Sequence, residues 1–129
     1  MVVDSSAILA IVFSEPDQSL YLEAMLATQI LTISTATLFE CRLVALRKAG
    51  EAQENKLIVF LEQFKINIVQ FDEVQLELAA GAFRRYGKGR DKAALNFGDC
   101  FSYALAKSRG EPLLYKGGDF SRTDVAAAI

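Results

Sequence analysis

Short apolar runs alternate along this chain with longer stretches in which apolar positions recur every three or four residues. The first pattern predicts strands and the second amphipathic helices. Val2-Val3 opens as a strand ending at Asp4, and Ser5-Ser6 can cap a helix bearing Ile8, Leu9, Ile11 and Val12. Pro16 breaks that helix, and Asp17 is placed to cap a second one carrying Leu20, Leu22, Met25 and Leu26. Ile30-Leu31-Thr32-Ile33 reads as a buried strand rich in branched residues. Thr37-Leu38-Phe39-Glu40 has the form of a capping box opening a helix that runs to Gly50, with Phe39, Leu43 and Leu46 as its apolar stripe.

The second half continues the alternation. A helix carries Leu57, Ile58, Phe60, Leu61 and Phe64; a strand spans residues 66–71; a further helix carries Val74, Leu76, Leu78, Ala79 and Phe83. A polar, glycine-punctuated loop runs from Gly87 to about Asn96. Gly98-Asp99 then opens a helix that ends at Gly110, with Lys107 and Arg109 in its last turn. Pro112-Leu113-Leu114-Tyr115 is a last buried strand, followed by a Gly117-Gly118-Asp119 turn and a peripheral C-terminus. Strands separated by helices predict an α/β fold with a mostly parallel central sheet flanked by helices, in a single domain over residues 1–129.

Composition narrows the chemistry. Apolar residues form 52% of the chain, enough for a packed core, and the formal net charge is only −2, so any contact with nucleic acid needs a local basic patch or a bound cation. The start lacks the basic flank of a signal peptide, the apolar runs are too short to span a bilayer, and Cys41 and Cys100 are isolated. A cytoplasmic location without a membrane partner is the expectation. Histidine is absent, which excludes Ser-His-Asp and Cys-His catalysis and histidine-ligated zinc. What remains is carboxylates, hydroxyls, lysines and hard cations.

Four acids stand at informative places. In an open α/β sheet, ligands bind beyond the carboxyl ends of the strands. Asp4 ends the first strand and Asp119 follows the last. Glu40 and Asp99 lie in first turns of helices. Each also has a plain structural explanation: Asp4 as a helix cap, Glu40 as a capping-box partner, Asp99 as a complement to a helix dipole, Asp119 as a turn residue. Together they would repel one another unless a cation is present, and Mg²⁺ or Mn²⁺ prefers such hard oxygen ligands. A haloacid-dehalogenase-like phosphatase would need Asp where Ser6 stands, and a receiver domain would need an adjacent acidic pair after the first strand.

The segments Met1-Val2-Val3-Asp4-Ser5-Ser6-Ala7, residues 34–40 ending in Glu40, residues 94–104 around Asp99, and residues 113–120 around Asp119 resemble, in order, the four acid-bearing segments of PIN-domain nucleases. Within that family the chain resembles the VapC-type toxins of toxin–antitoxin pairs. The resemblance implies a Mg²⁺-dependent endoribonuclease, with Mn²⁺ as a substitute. It implies that Asp4 and Asp99 are the principal metal ligands, that Glu40 and Asp119 complete the pocket, and that Ser6 and Asn96 orient ligands or water. Asp124 matches a further family position in the same supporting role. Two departures are Gly118, where many members carry Asn, and the acidic Asp91 in a loop that is usually more basic or neutral. The implied partners are an RNA substrate, a small VapB-type antitoxin whose tail covers the active site, and a second copy in a homodimer, with the helices around residues 17–28 and 51–64 as contact surfaces.

Arg84, Arg85, Lys88, Arg90 and Lys92 crowd one short stretch, opposed only by Asp91. They form either a phosphate-gripping lip or a solvated helix end and loop. Lys116 is a further candidate for phosphate contact. The competing function is a non-catalytic RNA- or protein-binding module with a vestigial acidic pocket.

Overall fold

A computed structural model describes residues 1–129. The order of elements is β1 (Val2–Val3), α1 (Ser5–Val12), α2 (Gln18–Leu26), β2 (Thr32–Ser34), α3 (Thr35–Gln63), β3 (Asn67–Val69), α4 (Glu73–Tyr86), α5 (Phe97–Arg109) and β4 (Leu113–Leu114), with a single 3₁₀ turn at Phe120–Arg122. The sheet is parallel throughout and ordered β3-β2-β1-β4. Val2 pairs with Thr32 on one side and with Leu113 on the other.

Side-chain alternation along these short strands builds two cores. Val2 and Leu113 join α4 and α5 residues such as Ala82, Cys100, Tyr103 and Leu105. Val3 and Leu114 point to the other face and join Ile8, Tyr21, Met25, Cys41 and Leu57 from α1, α2 and α3. The result is helix, sheet and helix in three layers, as the alternation of periods predicts. Strand order reverses between β1 and β4: β2 and β3 lie to one side of β1, and β4 lies alone on the other. Such a switch point opens a crevice at the carboxyl ends of the strands.

Several local expectations need correction. Thr37 and Glu40 do not form a capping box, because α3 starts earlier, at Thr35, with Ser34 as N-cap accepting from the Ala36 N–H. Thr37 is instead buried, its hydroxyl 3.1 Å from that of Ser102 on α5. The stripe Phe39, Leu43, Leu46 is 63%, 42% and 41% exposed, while the small residues Cys41 and Ala45 face the core. Helical geometry breaks at Ala49 and Gly50, where Gly50 takes φ +74°. Arg42 and Glu54, on either side of the break, meet at 2.7 Å, so the two halves fold back on each other. Strand β3 is shorter than the alternating segment 66–71. The C-terminus is not peripheral: Leu113 N–H donates to Ala126 C=O and Ala128 N–H to Leu113 C=O, covering the free edge of β4.

Candidate active site

Asp4 is 2% exposed and is held at the sheet end by its own N–H, which donates to Leu114 C=O. As N-cap of α1 its Oδ2 accepts from the Ser6 N–H at 2.9 Å and from the Ser6 hydroxyl at 2.6 Å. Its Oδ1 is buried with no hydrogen-bond partner. The cap explanation is therefore true of one oxygen only.

Glu40 projects from α3 onto the start of α5. A Cβ at Gly98 would lie 2.5 Å from Glu40 Oε1, so this close approach exists only because residue 98 is glycine. Burial is the main cause that raises the Glu40 pKa; the nearby Ser5 side chain opposes it, and the charge of Asp4 adds to it. Glu40 Oε2 is a second buried oxygen without a partner. Orphaned buried polar atoms are uncommon, and two such carboxylate oxygens in one region suit a cation-binding pocket.

Asp99 stands at the third position of α5 in a complete capping box. The Asp99 N–H donates to Asn96 Oδ1 at 3.0 Å, and the Asn96 N–H donates to Asp99 Oδ2 at 2.8 Å. Asn96 thus orients Asp99. Burial raises the Asp99 carboxyl to about 7, the Asn96 N–H opposes this, and the charges of Asp4, Asp119 and Glu40 add to it. The charges of all three other acids therefore bear on Asp99. Asp119 is exposed beside the 3₁₀ turn, and its side chain caps nothing. No three acids are close enough to wrap one ion directly. Mg²⁺ does not need that, since it commonly takes one or two carboxylates and keeps several waters.

The basic stretch lies on the rim of this region. Gly87 bridges to Leu95 and the Lys88 N–H donates to the Leu95 carbonyl, which places Lys88 next to the start of α5. Arg122, just past Asp119, donates to the Lys92 carbonyl at 2.6 Å. The loop carrying Lys88, Arg90 and Lys92 is thereby tied to the segments bearing Asp99 and Asp119, and its basic side chains are exposed. Asp91 is a loop builder whose Oδ1 accepts from the Ala93 N–H. Arg85 is partly occupied, over the Tyr86 ring and 3.8 Å from Asp124.

Two expected residues sit elsewhere. Asp124 does not support the acids. Its carboxylate accepts from the Tyr103 hydroxyl and from Lys107, one and two turns beyond Asp99 along α5, and so anchors the C-terminal segment. Lys116 is not a free phosphate contact, because its ammonium lies between Glu15 and Asp17. The exposed apolar surface is also redistributed. Leu20, Leu26 and Val59 are exposed on the expected helices, but a groove of about 600 Å³ also runs between α4 and α5, walled by Phe71, Leu76, Phe83, Phe97 and Phe101. Phe97 and Phe101 also wall a second hollow with Phe39 and Glu40, which connects the apolar surface to the acids. Gly98, packed against Glu40, is a residue of this region that pattern reading missed; glycine in the first turn of a helix was the available sign.

The PIN domain family profile matches residues 1–126. Ribonuclease VapC of Mycolicibacterium smegmatis is 46% identical over 127 residues, covering 98% of each chain. The chain belongs to the PIN-domain family, among the VapC ribonucleases. Ribonuclease VapC30 of Mycobacterium tuberculosis is 44% identical over 126 residues, covering 98% of this chain and 96% of that one. The fold is shared with solved VapC structures at much lower identity. Mycobacterium tuberculosis VapC20, described as a sarcin-ricin loop cleaving toxin, superposes with a TM-score of 0.79 at 17% identity, over 97% of this chain and 95% of that one. The VapBC2 complex of Rickettsia felis, bound to a promoter DNA fragment, gives 0.76 at 16% identity, over 98% and 94%. No helix of this VapC-type domain is long and apolar enough to cross a membrane.

Proposed function

We propose that this chain is a Mg²⁺-dependent endoribonuclease and the toxin of a toxin–antitoxin pair. The observation that carries the reading is the pair of buried, unpartnered oxygens, Asp4 Oδ1 and Glu40 Oε2, in a region where burial first, and then the charges of the other three acids, raise the Asp99 pKa. Asp4 and Asp99 would hold the ion, with Mn²⁺ as a substitute, and Glu40 and Asp119 would complete the site. When bound, the ion would neutralise the cluster and supply an activated water together with charge stabilisation at the phosphodiester.

The chain's own residues do the rest. Ser6 and Asn96 fix the two principal acids. The burial of Asp4 and Glu40 limits water access and strengthens their hold on a cation. The exposed Lys88, Arg90 and Lys92, with Arg84 and Arg85, grip flanking phosphates, which is how a protein of net charge −2 binds RNA. The antitoxin, by analogy with the VapBC relatives, would cover the groove at Phe97 and Phe101 and so reach the acids through the adjoining hollow. A homodimer would use the exposed apolar positions of α2, Leu20 and Leu26.

The test is cleavage of a labelled RNA pool by the unaltered chain and by Asp99→Asn, with Mg²⁺, with Mn²⁺ and with chelator. Metal-dependent cleavage lost in the variant is the expected result. Equal cleavage by both proteins would overturn the site. Metal binding without cleavage of any RNA would favour the vestigial module.

A further inference from the structure

We propose that Lys116 is a positioning residue for the acidic pocket, a clamp that holds the Ser6 hydroxyl on Asp4 and fixes where the turn to Asp119 begins. The inference rests on the metal-site reading above. Lys116 is where three separate segments meet. Its ammonium reaches Glu15 Oε2 at 2.5 Å and Asp17 Oδ1 at 2.7 Å, both in the connection between α1 and α2. Its backbone N–H donates to the Ser6 hydroxyl at 2.9 Å, at the start of α1. Its own position is two residues beyond β4 and three before Asp119.

The hydroxyl of Ser6 has one proton to give. With the Lys116 N–H filling its acceptor side, that proton goes to Asp4 Oδ2, 2.6 Å away, where the Ser6 N–H also donates. Both bonds fall on the same oxygen, and Oδ1 is left bare. Movement of the Lys116 backbone would release the Ser6 rotor, and Asp4 Oδ2 would keep only the bond from the Ser6 N–H. On the other side, Gly117 with φ +101° and Gly118 separate Lys116 from Asp119. Two glycines hold no direction by themselves. Lys116 is the last side chain that can anchor this segment before Asp119.

The ion pairs are about one-third exposed, and exposed pairs of this kind add little to global stability. Two of the three ammonium N–H donors are engaged in this geometry.

The test compares the unaltered chain with Lys116→Met, Lys116→Arg and the pair Glu15→Gln plus Asp17→Asn. Mn²⁺ binding is titrated well below the melting temperature of each, and kcat, KM and the salt dependence of RNA binding are measured. A clamp predicts at least a tenfold loss of Mn²⁺ affinity in Lys116→Met and in the double variant. It also predicts a fall in kcat with KM and salt slope unchanged, and rescue by arginine, which can bridge two carboxylates. Unchanged Mn²⁺ affinity in folded variants overturns the clamp. If the unaltered chain binds no Mn²⁺, the metal-site reading falls, and this inference with it. Binding that persists unaltered in all variants removes the clamp alone.

Discussion

Gly98 lies so close to Glu40 that a methyl group on its Cα would stand 2.5 Å from one carboxylate oxygen and 2.8 Å from the other. The first turn of α5 and the side chain of Glu40 therefore share one space. Gly98→Ala would gain roughly 1 kcal/mol of helix propensity and lose a similar amount to crowding. Melting temperature should change little. The carboxylate, however, must swing away, and Mn²⁺ affinity and cleavage should each fall at least tenfold. Calorimetric titration together with a thermal melt checks this. An alanine variant with unchanged affinity would show that Glu40 has no part in the site.

Asp99 makes stability depend on pH in the sense opposite to an ordinary ion-paired acid. Its carboxyl is raised from 3.8 to about 7 in the folded chain, first by burial. Between these values the folded state binds the proton and the unfolded state does not, so stability declines as pH rises from about 4 to about 7. Asp99→Asn removes that loss and still accepts the Asn96 N–H. In metal-free buffer the variant should match the unaltered chain at pH 4 and exceed it by about 2 kcal/mol at pH 8, after allowance for solvent screening. Mg²⁺ at pH 8 should raise the melting temperature of the unaltered chain and leave the variant where it is. A variant less stable than the parent at pH 8 would count against a crowded acidic cluster.

Lys88, Arg90 and Lys92 share one exposed loop that is tied at Leu95 and at the Lys92 carbonyl to the acid-bearing segments. Reversing all three charges should weaken RNA binding strongly. It should also lower the salt slope by about 0.7 for each phosphate of a single strand that is no longer neutralised. Cleavage at saturating RNA should persist, since none of these side chains reaches the acids. Filter binding across a salt series measures the slope, and an unaltered slope would move the RNA path elsewhere.

The buried hydroxyls of Thr37 and Ser102 join α3 to α5 at 3.1 Å. Thr37→Val leaves one hydroxyl without its partner and should cost about 1–3 kcal/mol. Adding Ser102→Ala should recover part of that cost, a coupling that a double-mutant cycle in urea would quantify. Simple additivity of the two would mean that the pair carries no bond.

The strand–helix alternation was legible because hydrophobic period is a local property. Val2-Val3, the segment around Thr32 and Leu113-Leu114 are apolar runs, and a run buried between two helix layers needs no polar alternation. Asp4 and Asp99 were legible for a related reason: each stands within a few residues of the helix start that places it. The limit shows at Phe39, Leu43 and Leu46. Helical spacing puts them on one face, but it does not say whether that face or the face of Cys41 and Ala45 meets the sheet. Tight packing of α3 selects the small residues, and the large ones are left outside.

The sequence by itself determined the succession of elements, the α/β class and the order of the four acids, since these follow from period, caps and breakers over short stretches. Only the tertiary structure decided that Lys116 pairs with Glu15 and Asp17, across 101 and 99 residues of chain, and that Asp124 anchors Tyr103. It likewise decided which oxygens of Asp4 and Glu40 are left bare. Hydrogen bonds and ion pairs between distant segments depend on how layers meet, and no local period records that.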